Sequence, residues 1–90
     1  MPENCEETIT LAGDLHARPA GALSVAAAQF SAAVQLAVGD SQADAKSVLA
    51  VMQLGASSGQ QVTVRAVGPD AQDAVAALVA VLSAVTSAAD

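Results

Sequence analysis

Residues 61–85 read QVTVRAVGPDAQDAVAALVAVLSAV, and two periodicities meet inside that stretch. From Gln61 to Val67 apolar and polar residues alternate, so Val62, Val64 and Ala66 share one face of a strand. Gly68-Pro69 stops the strand, because proline has no N–H to offer a ladder. Asp70 then predicts a helix N-cap, and Asp73 adds negative charge to the first turn. Val75, Leu78, Val79, Leu82 and Val85 recur at helical spacing and form an apolar stripe. A one-faced strand running straight into a one-faced helix calls for two layers, a sheet with helices laid on it.

The same two patterns extend toward the N-terminus. Thr8 to Leu11 alternates, with Ile9 and Leu11 facing inward, and Ala12-Gly13-Asp14 is a turn signal. From Pro19 to Phe30 the residues Leu23, Ala26, Ala27 and Phe30 follow helical spacing, with Pro19 in the first turn. Val34, Leu36 and Val38 form a second strand, Gly39-Asp40 a turn, and Gln42 to Ala45 a short return strand. Ser47 is a good N-cap for a short helix ending before Gly55, which suits the C′ position. The predicted order is βαββαβα, a two-layer α+β fold with an antiparallel sheet. Phe30 is the one aromatic residue, so alanine and valine must fill the core.

Ninety residues allow one domain, expected to span 1–90 with 1–6 and 87–90 loosely ordered. The apolar fraction of 53% and mean hydropathy of +0.49 exclude a disordered chain. No stretch reaches the about 18 uninterrupted apolar residues of a membrane helix. The acidic start, Met1 to Glu7, has neither the basic nor the apolar region of a secretory signal, so the expected compartment is the cytoplasm. A net charge of −6, with three isolated cations, argues against nucleic acid and anionic membranes as partners. One cysteine, Cys5, and one histidine provide neither a disulfide nor a zinc site, and no cofactor motif is present.

The chemistry-bearing segment is Leu15-His16-Ala17-Arg18-Pro19-Ala20. If Ala17, Arg18 and Pro19 form the first helical turn, His16 occupies the N-cap, a position where histidine caps poorly. The helix end favours the neutral, nucleophilic ring, and its amides would stabilise an anion attached to that ring. Arg18 can add charge-assisted hydrogen bonds to phosphate oxygens. The bland alternative is a solvated surface His beside a solvated Arg. Ser47 likewise reads as a plain cap or as a phosphorylation site beside Lys46 and the apolar run Val48 to Leu54. Asp14 lies near His16 in sequence, but no nucleophile completes a triad.

At these residues the chain resembles the HPr family, the histidine-containing phosphocarriers of the bacterial phosphoenolpyruvate-dependent sugar phosphotransferase system. Leu15 to Ala20 is similar to the family's active-site signature, and Lys46 to Gly55 to its regulatory-serine segment. The resemblance implies an open-faced β-sandwich, with a four-stranded antiparallel sheet covered on one face by three helices. It implies a phosphocarrier without turnover of its own and without a cofactor or metal. His16 would accept a phosphoryl group on Nδ1 from phosphorylated Enzyme I and pass it to the IIA domains of sugar permeases. Arg18 would balance phosphate charge, and Ala17 and Pro19 would contribute the first-turn anion site. Ala20, Val48, Leu49, Val51, Met52 and Leu54 would dock both partners to a monomer. Ser47 would take a regulatory phosphate from an HPr kinase/phosphorylase, in a form that a transcription regulator could bind.

Asp14 departs from the family's usual glycine before Leu-His, and its carboxylate would oppose the helix field and repel phosphate. The first helix also has no cation after Arg18, so steering toward an acidic partner is weak. Nitrogen-related and dihydroxyacetone phosphotransfer systems remain open as pathways, as does a purely regulatory module acting through Ser47.

Overall fold

The computed structural model describes residues 3–85. The elements are β1 (Glu3–Thr10), α1 (Ala17–Ala27), β2 (Ala33–Val38), β3 (Ser41–Asp44), α2 (Val48–Gln53), β4 (Gln61–Gly68) and α3 (Ala71–Val85). The order is the βαββαβα that the two periodicities predict. The side chain of Val85 and the tail at 87–90 lie outside the described residues, as do residues 1 and 2.

The four strands form one antiparallel sheet in the order β1-β4-β2-β3. β4 is therefore central, and its inward residues Val62, Val64 and Ala66 are completely buried. Register carries that inner face outward: Val64 stands opposite Leu36 of β2, and Ala66 opposite Val34. Leu23 of α1, Val51 of α2, and Leu78 and Leu82 of α3 close the core from the helix side. Burying each such side chain contributes about 1.5–3 kcal/mol, and small residues between them let the layers approach. The outer face of the sheet is largely polar, although Val67 is exposed on it. Thr8 and Thr63 share a hydrogen bond of 2.8 Å between hydroxyls, and Arg65 Nε donates to Glu6 at 3.1 Å.

Two boundaries correct the sequence reading. β1 begins at Glu3, so residues 3–6, expected to be loosely ordered, belong to the sheet. Glu6 pairs with Arg65 and Cys5 with Ala66, cross-strand partners that outweigh the poor strand propensity of Asn and Glu. α1 starts at Ala17 and ends at Ala27, short of Phe30. After Ala27 the chain is pulled into a turn, with the Phe30 carbonyl accepting from Lys46 Nζ at 2.9 Å.

Asp70 corrects a third expectation. Its carbonyl accepts the Ala74 N–H, as an N-cap residue's should, but its carboxylate reaches another loop. There it accepts the N–H groups of Ser31 and Ala32, both at 2.8 Å. The Ser31 hydrogen bond holds the Asp70 carboxyl below its ordinary value of 3.8 against some desolvation, with Ala32 and the Lys46 charge acting the same way. Gly68 belongs to this junction. Its φ is +150°, and a Cβ there would stand 2.7 Å from the Ala32 Cα, so only glycine allows this approach.

Among the described residues no helix is long and apolar enough to cross a membrane.

Candidate phosphoryl-transfer site

His16 is the N-cap of α1, with extended backbone (φ −81°, ψ −171°) and no side-chain capping bond. Its carbonyl accepts the Ala20 N–H at 2.9 Å, which closes the first turn. The N–H groups of Ala17 and Arg18 have no acceptor among the described residues, and Pro19 has no N–H. Two amide donors therefore point out of the helix end toward solvent. Pro19 is buried, so it fixes backbone geometry and donates nothing to an anion, which corrects its place in the donor set. Arg18 is exposed and has no ion pair among the described residues, so its guanidinium is available to a ligand.

The His16 side chain is 79% exposed, and its Nε2 lies 3.3 Å from Oδ2 of Asp14. Asp14 is held in turn by the Ser58 N–H, which donates to Oδ1 at 2.8 Å. Backbone bonds stitch the same two loops together, from Leu15 N–H to the Ala56 carbonyl and from Gly59 N–H to the Leu11 carbonyl. Between the loops lies an open cavity of about 210 Å³. Asp14, Leu15, His16 and Ala17 line one side, and Met52, Gly55, Ala56 and Ser57 the other. A space this small suits a phosphoryl group better than a metabolite. The contribution of residues 55–58 was missed by the sequence reading, because only tertiary pairing brings that loop to His16.

Ser47 sits at the start of α2, where its hydroxyl oxygen accepts the Ala50 N–H at 3.2 Å. Gly55 follows the helix with φ +63°, the left-handed C′ geometry expected of it. Lys46 is next to Ser47 in sequence, but its ammonium is engaged by the Phe30 carbonyl. Val48, Leu49 and Met52 are exposed on α2 at 40%, 66% and 42%. Leu54 is half-buried, while Ala20 and Val51 are completely buried. That burial removes Ala20 and Val51 from any docking surface. Both face the core because their helices spend one side on it.

A family model described as the PTS HPr component phosphorylation site matches residues 4–84. The chain belongs to the HPr family. It is 41% identical over 69 residues to the phosphocarrier protein HPr of Cupriavidus necator, covering 77% of this chain and 78% of that one. It is also 41% identical over 87 residues to the multiphosphoryl transfer protein of Xanthomonas campestris, covering 97% of this chain. The chain spans only 10% of that larger protein's length. Among solved structures, HPr-C-His of Thermoanaerobacter tengcongensis superposes with a TM-score of 0.84 at 34% identity, over 89% of this chain and 92% of that one. The sheet of four antiparallel strands with three helices is thus the HPr architecture. HPr proteins are phosphocarriers of the phosphotransferase system and not enzymes with turnover of their own, and sugar transport follows from that role.

Proposed function

We propose that His16 is the phosphoryl acceptor, loaded by phosphorylated Enzyme I and unloaded by the IIA domains of sugar permeases in the cytoplasm. The observation that carries this is the open end of α1. An exposed imidazole stands at a helix start whose Ala17 and Arg18 amides are unpaired. The Nδ1 lone pair attacks phosphorus as the bond from phosphorus to the donor breaks, and the donor keeps that electron pair. The negative charge arriving on the phosphoryl oxygens is met by the two amides and by the Arg18 guanidinium. Val48, Leu49 and Met52 are the apolar contact for both partners, with Leu54 at its edge. A small contact suits a carrier that must release each partner quickly.

Ser47 supports a second, regulatory role. It borders the exposed residues Val48 and Leu49, so a phosphate added by an HPr kinase/phosphorylase would place about −1.5 to −2 charges against that apolar contact. A transcription regulator would read the same modified face.

Intact-mass spectrometry tests both readings. Incubation with phosphoenolpyruvate and Enzyme I should add one acid-labile phosphoryl group, absent from His16→Ala, and ATP with a kinase should add a second, acid-stable one on Ser47. An unchanged mass with the cognate Enzyme I overturns the first assignment, and an unmodified Ser47 with the cognate kinase overturns the second.

A further inference from the structure

Asp14 is the side chain at the site that the carrier reading leaves unused. The Ser58 N–H holds its Oδ1 at 2.8 Å, and this anchoring leaves Oδ2 facing His16, 3.3 Å from Nε2. The 3.3 Å separation is a close charge contact rather than a formed hydrogen bond, and a carboxylate, which can only accept, favours the ring form that carries its proton on Nε2. Nδ1 has no partner among the described residues and keeps its lone pair free for attack. The carboxylate is also anchored, because the loops carrying Asp14 and Ser58 are bonded to each other through backbone at Leu11, Leu15, Ala56 and Gly59.

We propose that Asp14 is a positioning residue that keeps the Nε2 proton on the His16 ring, both before and after phosphoryl transfer. The inference rests on His16 being the acceptor. In the loaded state Nδ1 carries the phosphoryl group and Nε2 keeps its hydrogen, so the ring is a cation. When the next acceptor's lone pair forms its bond to phosphorus, the N–P bond breaks and its electron pair returns to Nδ1. The ring then leaves as neutral imidazole. Without the Nε2 proton it would have to leave as an imidazolate, a far poorer leaving group. Asp14 thus keeps the phosphoryl group transferable, at the cost of some repulsion toward the phosphate oxygens. No other titratable side chain lines the cavity: α2 contributes Met52, and the following loop contributes Gly55, Ala56 and Ser57. Arg18 is the nearest cation in sequence and lies outside that lining.

The test uses the full chain with a nitrogen-15 label. In the unphosphorylated protein the imidazole nitrogen shifts should report the Nε2–H tautomer. Asp14→Gly should give a mixture, and Asp14→Asn, whose single oxygen stays on the Ser58 N–H and whose NH2 then faces Nε2, should shift the ring toward the Nδ1–H tautomer. After loading, the phosphohistidine of Asp14→Gly and of Asp14→Asn should outlive that of the wild type at about pH 8. The expected lengthening is about two- to fivefold, the scale of an exposed charge pair. A purely structural role predicts no lengthening in Asp14→Asn, which keeps an oxygen for the Ser58 N–H, and far-ultraviolet circular dichroism checks that each variant is folded. Equal lifetimes in all three proteins, or an Nδ1–H tautomer in the wild type, overturns the proposal. A wild type that takes no phosphoryl group overturns the carrier reading instead, and the mass spectrum shows this before any variant is compared.

Discussion

The starts of α1 and α2 solve the same problem in opposite ways. Each helix end presents amides without partners. At α2 the Ser47 hydroxyl accepts the Ala50 N–H, so its own residue caps the third position, while the Val48 and Leu49 amides have no acceptor among the described residues. At α1 the N-cap is His16, which makes no capping bond, and the end stays open. The capped end serves stability. The open end forgoes about 1 kcal/mol of capping and leaves two donors beside a nucleophile. A ligand-binding helix end can therefore be recognised by what its cap residue fails to do, provided that residue brings chemistry of its own.

Exchanging the two ends breaks this contrast most sharply. His16→Ser should cap α1 through the Arg18 N–H, since Pro19 stands where α2 has the Ala50 donor, abolishing phosphoryl acceptance while raising stability by about 0.5–1 kcal/mol. Urea unfolding together with intact mass would show both effects; a less stable His16→Ser means the open end was not forgoing a cap.

The start of α3 is a third solution, in which Asp70 serves a neighbouring loop. Its carboxyl is held below 3.8, so its contribution is fully present above that value and is lost as pH falls through the lowered one. Asp70→Asn should lower the unfolding midpoint at neutral pH and flatten its decline between about pH 5 and about pH 2. Parallel acid profiles for the variant and the wild type would contradict the Asp70 geometry.

The smallest effect belongs to the capped end. Ser47→Ala should cost about 1 kcal/mol in denaturant unfolding and leave phosphoryl acceptance at His16 unchanged. A loss of acceptance would mean that α2 orders the first site, and the contrast between the two ends would fail.

The fold was legible because periodicity switches cleanly, from two at Val62, Val64 and Ala66 to helical spacing at Val75, Leu78 and Leu82. Ser47 and Gly55 marked α2 through local geometry alone. What escaped was set by partners distant in sequence. The first residues of β1 look like an acidic tail until Arg65 and Ala66 stand opposite them. Asp70 reads as a helix cap until Ser31 and Ala32 claim its oxygens. Within the site, His16, Arg18 and Asp14 were visible as neighbours in sequence. The loop at 55–58 was not, and neither was the burial that takes Ala20 and Val51 out of reach.

The strand order β1-β4-β2-β3 also has a consequence in time. β1 and β2 never touch; each waits for β4, which is synthesised after both. Before residues 61–68 are made the chain can form α1 and the β2–β3 hairpin, but β1 has no neighbour to pair with. Formation of the sheet is thus held back until residues 61–68 are free of the ribosome, and the slow step of refolding should be the long loop closure that brings Thr10 to Gln61. The loop behind His16 leads directly into β4, so the histidine gains its surroundings only when that closure is made.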